Sequence, residues 1–153
     1  MKKVKVLGCG NILAFDEGVG IHIVRQLRRE ILPERVEIEE LKSPGKILPE
    51  LITGSDKLII IDACRGEDVH GGFAERYRWG DGELKNIFSR TIHAVHLSPL
   101  FELNETNFSR KLPQEIVIFG IKIGEKKKFG VGLSKEVFAS LDDAINAVLQ
   151  ELY

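Results

Sequence analysis

The apolar positions fall into short runs whose spacing changes from strand-like to helical and back along the chain. Residues 4–9, reading VKVLGC, form a β-branched run closed by glycine, the pattern of a buried strand. Val19, Ile23, Val24, Leu27 and Ile31 then recur three and four residues apart, with Arg25, Arg28, Arg29 and Glu30 opposite. This predicts an amphipathic helix over 18–31, ended by Pro33. Residues 35–41 (RVEIEEL) alternate like a more exposed strand, and 45–53 predicts a short helix before the turn Gly54-Ser55-Asp56. Leu58 to Ile61 is apolar throughout, as in a central strand covered on both faces. Residues 72–79 alternate as another strand, 115–123 (EIVIFGIKI) reads as the last major one, and 134–152 as a closing helix. Its apolar stripe is Val137, Leu141, Ile145, Val148 and Leu152.

Strand and helix in alternation imply an α/β fold. We expect a mostly parallel twisted sheet with helices on both faces, the layering of flavodoxin-like proteins and of phosphorylase-like hydrolases. No repeat, low-complexity tract or long linker divides the sequence, so one domain over 1–153 is expected. Ligands in such sheets sit beyond the carboxyl ends of the strands, where strand order reverses. That directs attention to residues 10–18 and 62–70.

At 153 residues a domain of this kind buries roughly two-thirds of its unfolded surface, so neither disulfides nor a structural metal is required. The 22 Lys and Arg nearly balance 23 Asp and Glu, which excludes a broad electrostatic attraction for nucleic acid or anionic membranes. Cys9 and Cys64 are the only cysteines, too few for a disulfide scaffold, and a reducing cytoplasm is expected. The N-terminal apolar run is too short for a signal peptide or a membrane span.

After the first strand come Gly8-Cys9-Gly10-Asn11, half of a dinucleotide fingerprint. Leu13 replaces the third glycine, and Asp16-Glu17 would repel a pyrophosphate at the helix start. Glu39 and Glu40 are the acids that a ribose hydroxyl would find, so a non-catalytic nucleotide-binding or regulatory module of flavodoxin-like shape is the alternative function. Asp16 is expected to cap the following helix, which leaves Glu17 for the crevice. Asp62 ends the run LIIID, where its charge is expected at the strand mouth, either bonded to loop N–H groups or serving as a ligand. His22 and His70 read as structural or exposed, whereas His93 and His96 in TIHAVHLSPL offer an imidazole. Two carboxylates and an imidazole suit a first-row divalent metal with open positions, as in a hydrolase with its own zinc. A cysteine peptidase would pair Cys9 or Cys64 with a base such as His93, but small buried cysteines are the expectation.

The stretch VLGCGNILAFDEGVGIHIVRQL (6–27) resembles the opening signature of the hydrogenase maturation endopeptidases, a GNxLxxD[DE]GxG pattern. LIIIDAC (58–64) is similar to that family's central strand, TIHAVHLSPL (91–100) to the segment around its histidine, and FGIKIGEKKKFGVGLSKEV (119–137) to its ending. The resemblance spans the chain. It implies a peptidase that removes the C-terminal extension of a [NiFe] hydrogenase large-subunit precursor after nickel insertion, acting as a monomer. It also implies that Glu17, Asp62 and His93 grip a nickel ion carried by the substrate, a recognition element rather than a resident cofactor. On that reading Asp62→Asn or His93→Ala abolishes processing and leaves the fold intact. The sequence departs from the family at Leu41-Lys42-Ser43-Pro44-Gly45, where many members have an Asp-Gly-Gly-Thr-like stretch. That loop is expected to shape the substrate groove.

Overall fold

The computed structural model describes residues 2–43, 45–65, 74–78, 88–101, 112–124 and 129–153. Its frame is one five-stranded sheet in the order β2-β1-β3-β5-β4. The strands are β1 (Val4–Gly10), β2 (Val36–Lys42), β3 (Lys57–Cys64), β4 (Ala74–Arg78) and β5 (Glu115–Lys122). The first, second, third and fifth are parallel, and β4 joins the edge antiparallel to β5. The mostly parallel α/β sheet expected from the sequence is thus present.

The two central strands are apolar on both sides because both faces are covered. On one face, Val6, Ile59, Ile61, Val117 and Phe119 pack against α1 (Val19–Leu27) and α2 (Lys135–Leu152). On the other, Leu7, Cys9, Ile60 and Ile118 meet Ile52, which follows the turn at 49–51, and Phe88, Leu97 and Phe101, carried by short helical stretches at 88–90, 94–97 and 98–101. Phe88 and Phe101 stack with ring centroids 5.4 Å apart, a spacing favourable for aromatic pairs.

Two elements are shorter than the periodicity suggested. Helix α1 stops at Leu27, and Ile31, the last member of the expected stripe, is 95% exposed. Arg25 and Arg28 turn to Glu40 of β2, and the chain reverses within nine residues to enter that strand. Over 45–53 only the 3-10 turn Pro49–Leu51 forms. Its carbonyl ends are held by Lys5, a buried lysine whose Nζ reaches Glu50 O at 2.5 Å and Thr53 O at 3.1 Å.

From β1 the chain goes outward to β2, then back across β1 to β3. Strand order therefore reverses between β1 and β3, and the crevice at their carboxyl ends is where a ligand belongs in such a sheet.

Candidate active site

The β3 side of that crevice is built around one buried carboxylate. The strand runs on past its apolar centre to Cys64, so Asp62, expected at the strand mouth, is instead fully buried. Such a group is tolerated only when donors match its oxygens, and four converge. Oδ1 accepts from Ala63 N–H at 2.8 Å and meets His93 Nδ1 at 2.9 Å. Oδ2 accepts from His93 N–H and Ala94 N–H, both at 2.7 Å.

These donors arrive because residues 90–92 extend the end of β3 in antiparallel fashion, with Arg65 N–H to Arg90 O and Ile92 N–H to Ala63 O at 3.0 Å. The 3-10 turn Ala94–Leu97 then starts directly over the carboxylate, with His93 as its first flanking residue. The loop-binding role that the sequence allowed for Asp62 is therefore real. It stands against the expectation that Asp62→Asn leaves the fold undisturbed, since an amide at this position would turn a donor toward donors.

The same bond orients the histidine. Asp62 holds the proton on Nδ1 of His93, and Nε2 has no hydrogen-bond partner among the described residues. His93 lines a cavity of about 440 Å³ together with His96 and, opposite, Leu41, Lys42, Ser43, Gly45 and Ile47. The groove expected from the Leu41–Gly45 loop is therefore in direct continuity with His93. His96, exposed on the 3-10 turn, faces this cavity rather than Asp62.

The β1 side is a loop that uses up its own backbone donors. Asn11 N–H bonds Glu17 O, Ala14 N–H bonds Asn11 O, and Glu17 N–H bonds Ala14 O, while Leu13 N–H goes to Asn11 Oδ1. Phe15, at φ 48° in the left-handed region, donates to Gly130 O, and Gly130 N–H returns to Leu13 O. With the N–H groups of residues 11, 13, 14, 15 and 17 engaged, few donors of the loop are left for the nest that a phosphate needs. The glycines serve close packing instead. A Cβ on Gly20 would lie 2.3 Å from Cys9 O, and one on Gly8 would lie 2.5 Å from Gly20 O, so this pair lets α1 ride directly on β1.

The acids of this side divide their labour. Asp16 Oδ1 accepts from Ser134 N–H at 2.7 Å, at the start of α2. Asp16 thus anchors the distant final helix rather than capping α1, whose start at Gly18 has no side-chain cap. Glu17 is half-buried on a turn that packs against β1 and β3, and its carboxylate makes no hydrogen bond or ion pair among the described residues.

Of the expected ligands, the structure brings Asp62 and His93 into contact and sets Glu17 on the neighbouring turn. Among the described residues no three His, Cys, Asp or Glu side chains form a ready-made metal cage.

The competing chemistries fare worse. Burial, and then the Asp62 charge, push the Cys9 thiol far above its usual range, which removes it as a nucleophile. Cys64 is likewise buried. Glu40 is held by Arg25 and Arg28, and Glu39 lies 3.8 Å from Lys5, so neither waits for a ribose. Burial, and then Arg25, lower the pKa of His22 on α1. His70 lies outside the described residues.

The sequence residues 21–151 match the family model for hydrogenase maturation protease. Hydrogenase 2 maturation protease of Escherichia coli (strain K12) is 32% identical over 151 residues, 98% of this chain and 90% of that protein. Among solved structures, the E. coli hydrogenase maturating endopeptidase HybD superposes with a TM-score of 0.82 at 32% identity, covering 98% of this chain and 91% of that one. A hydrogenase 2 maturation peptidase from a Thaumarchaeota archaeon superposes with a TM-score of 0.72 at 28% identity, over 99% and 98% of the two chains.

Proposed function

The chain belongs to the hydrogenase maturation protease family and is a peptidase; from that premise we propose that it removes the C-terminal extension of a [NiFe] hydrogenase large-subunit precursor once nickel is in place. Glu17, Asp62 and His93 read the nickel that the precursor carries. The observation that supports this most is the contact between Asp62 Oδ1 and His93 Nδ1 at 2.9 Å beside an open cavity.

Bonds of about 2.1 Å from one first-row ion to two ligands at right angles leave those ligands about 3 Å apart. Asp62 and His93 therefore already have the spacing of neighbouring ligands. Three of the four donors to Asp62 are backbone N–H groups fixed by the fold. The imidazole is the one that a small ring rotation releases, so nickel replaces a proton without unmaking the turn. Glu17, with no competing partner, supplies the second carboxylate.

A precursor without nickel leaves the Asp62–His93 bond intact and gains nothing from Glu17, so metal loading becomes a condition of productive binding. With only two cysteines, the enzyme is read as working in a reducing cytoplasm, as a monomer. No described helix is long and apolar enough to cross a membrane.

The test is incubation of the purified protein with nickel-loaded and nickel-free precursor, following precursor mass. Loss of a C-terminal peptide from the loaded form alone is expected. Cutting of both forms alike would remove nickel from the mechanism, and cutting of neither would overturn the substrate assignment.

A further inference from the structure

Seven large hydrophobic side chains are exposed among the described residues, and four of them gather at one place. Leu13 is 59% exposed, Phe129 87%, Val131 74% and Phe138 68%. They sit on backbone that is tied together: Ala14 bridges Gly130, Gly130 N–H bonds Leu13 O, and Ser134, one turn before Phe138, bonds Asp16. All three segments lie at the carboxyl edge of the sheet, since 11–18 follows β1 and the start of α2 follows β5. An apolar cluster of this kind on a soluble surface marks a place where another molecule rests.

We propose that Leu13, Phe129, Val131 and Phe138 form the docking rim for the folded body of the precursor, alongside the site that cuts its tail. This rests on the peptidase reading above. Two features select that occupant. The loop that bears Leu13 bears Glu17 four residues later, so the body of a protein whose tail reaches Glu17 is brought next to this rim. A second copy of this chain seated there would cover the crevice it is meant to serve.

The rim also explains how a shallow site gains affinity. The tail offers only a few residues to the cavity, whereas aromatic anchors on a flanking surface carry much of the binding energy in protein complexes. Contacts made equally in the ground state and the transition state lower KM without changing kcat.

The experiment compares wild type, the double variant Phe129→Glu/Phe138→Glu, and Ile31→Glu, whose side chain is 95% exposed at the opposite end of the sheet. Each is given nickel-loaded precursor for KM and kcat, with sedimentation to record self-association and a melting curve to confirm the fold. The double variant is expected to raise KM at least about tenfold with kcat little changed, while Ile31→Glu matches wild type. A double variant with wild-type KM would overturn the docking assignment while leaving the peptidase reading standing. So would wild-type dimers that the double variant abolishes without change in KM, since the rim would then belong to a second copy. A wild type that neither binds nor cuts the precursor overturns the substrate assignment, and the docking rim with it.

Discussion

The two walls of the crevice hold their acids in opposite ways. On the β3 wall, Asp62 is fully buried and every oxygen is matched, three of four times by backbone. On the β1 wall the loop satisfies its own backbone and leaves Glu17 half-buried with no side-chain partner among the described residues. One acid is therefore part of the architecture, and the other is carried by an architecture that does not need it. The contrast teaches that a carboxylate's role is set by what else in the fold depends on it.

Substitutions sharpen that contrast in a graded order of stability. Asp62→Asn is expected to cost about 2–4 kcal/mol, the penalty for breaking a buried, charge-assisted hydrogen-bond set, read as a lower midpoint in denaturant. A midpoint within error of wild type would erase the distinction between the walls. Gly20→Ala comes next, at about 1–3 kcal/mol, because its methyl would meet the fixed carbonyls of Cys9 and Ile61 at 2.3 and 2.4 Å. Asp16→Asn is expected to lose about 1 kcal/mol through the weakened bond to Ser134.

Glu17→Gln should shift stability by less than about 0.5 kcal/mol yet lower processing of nickel-loaded precursor at least about a hundredfold. Retained processing would take Glu17 out of the site. The smallest effect concerns pH. Burial raises the Glu40 pKa, but the hydrogen bonds and charges of Arg28 and Arg25 outweigh it, so the net shift is downward. A depressed carboxylate adds stability above its unfolded pKa and loses it as pH falls through the folded value. Acid titration followed by circular dichroism should therefore find the α1–β2 clamp weakening below the ordinary carboxylate range, a dependence that Glu40→Gln removes.

Much of this was legible from residue order because periodicity reports burial. The apolar run at 58–61 read as a strand covered twice, and the stripe of 134–152 as a helix with one face down. What misled were positions where a local rule met a tertiary partner. Ile31 continued the helical spacing, yet Glu40 drew Arg25 and Arg28 toward β2 and the helix ended at Leu27. Asp16 had the residue type and place of a cap, but its partner proved to be Ser134, 118 residues away. Asp62 looked like the end of a strand because apolar residues stopped there; the ladder with β5 continued through Cys64, and donors from residues 93 and 94 made burial tolerable. No spacing in the sequence announces such long-range matches. The exposed cluster around Phe129 was hidden for the same reason, since its members are gathered only when the loop after β1 meets the loop before α2.

That seam sets an order of events during synthesis. The loop holding Glu17 is closed by Gly130 and Ser134, the latter 118 residues after its partner Asp16. A nascent chain can pair β1 with β2 and β3, since those contacts are made early, but its N-terminal loop lacks the partner that holds Phe15 in its left-handed conformation. The conformation of the loop that bears Glu17 is therefore completed only once residues 130–134 have been made and have folded back onto it.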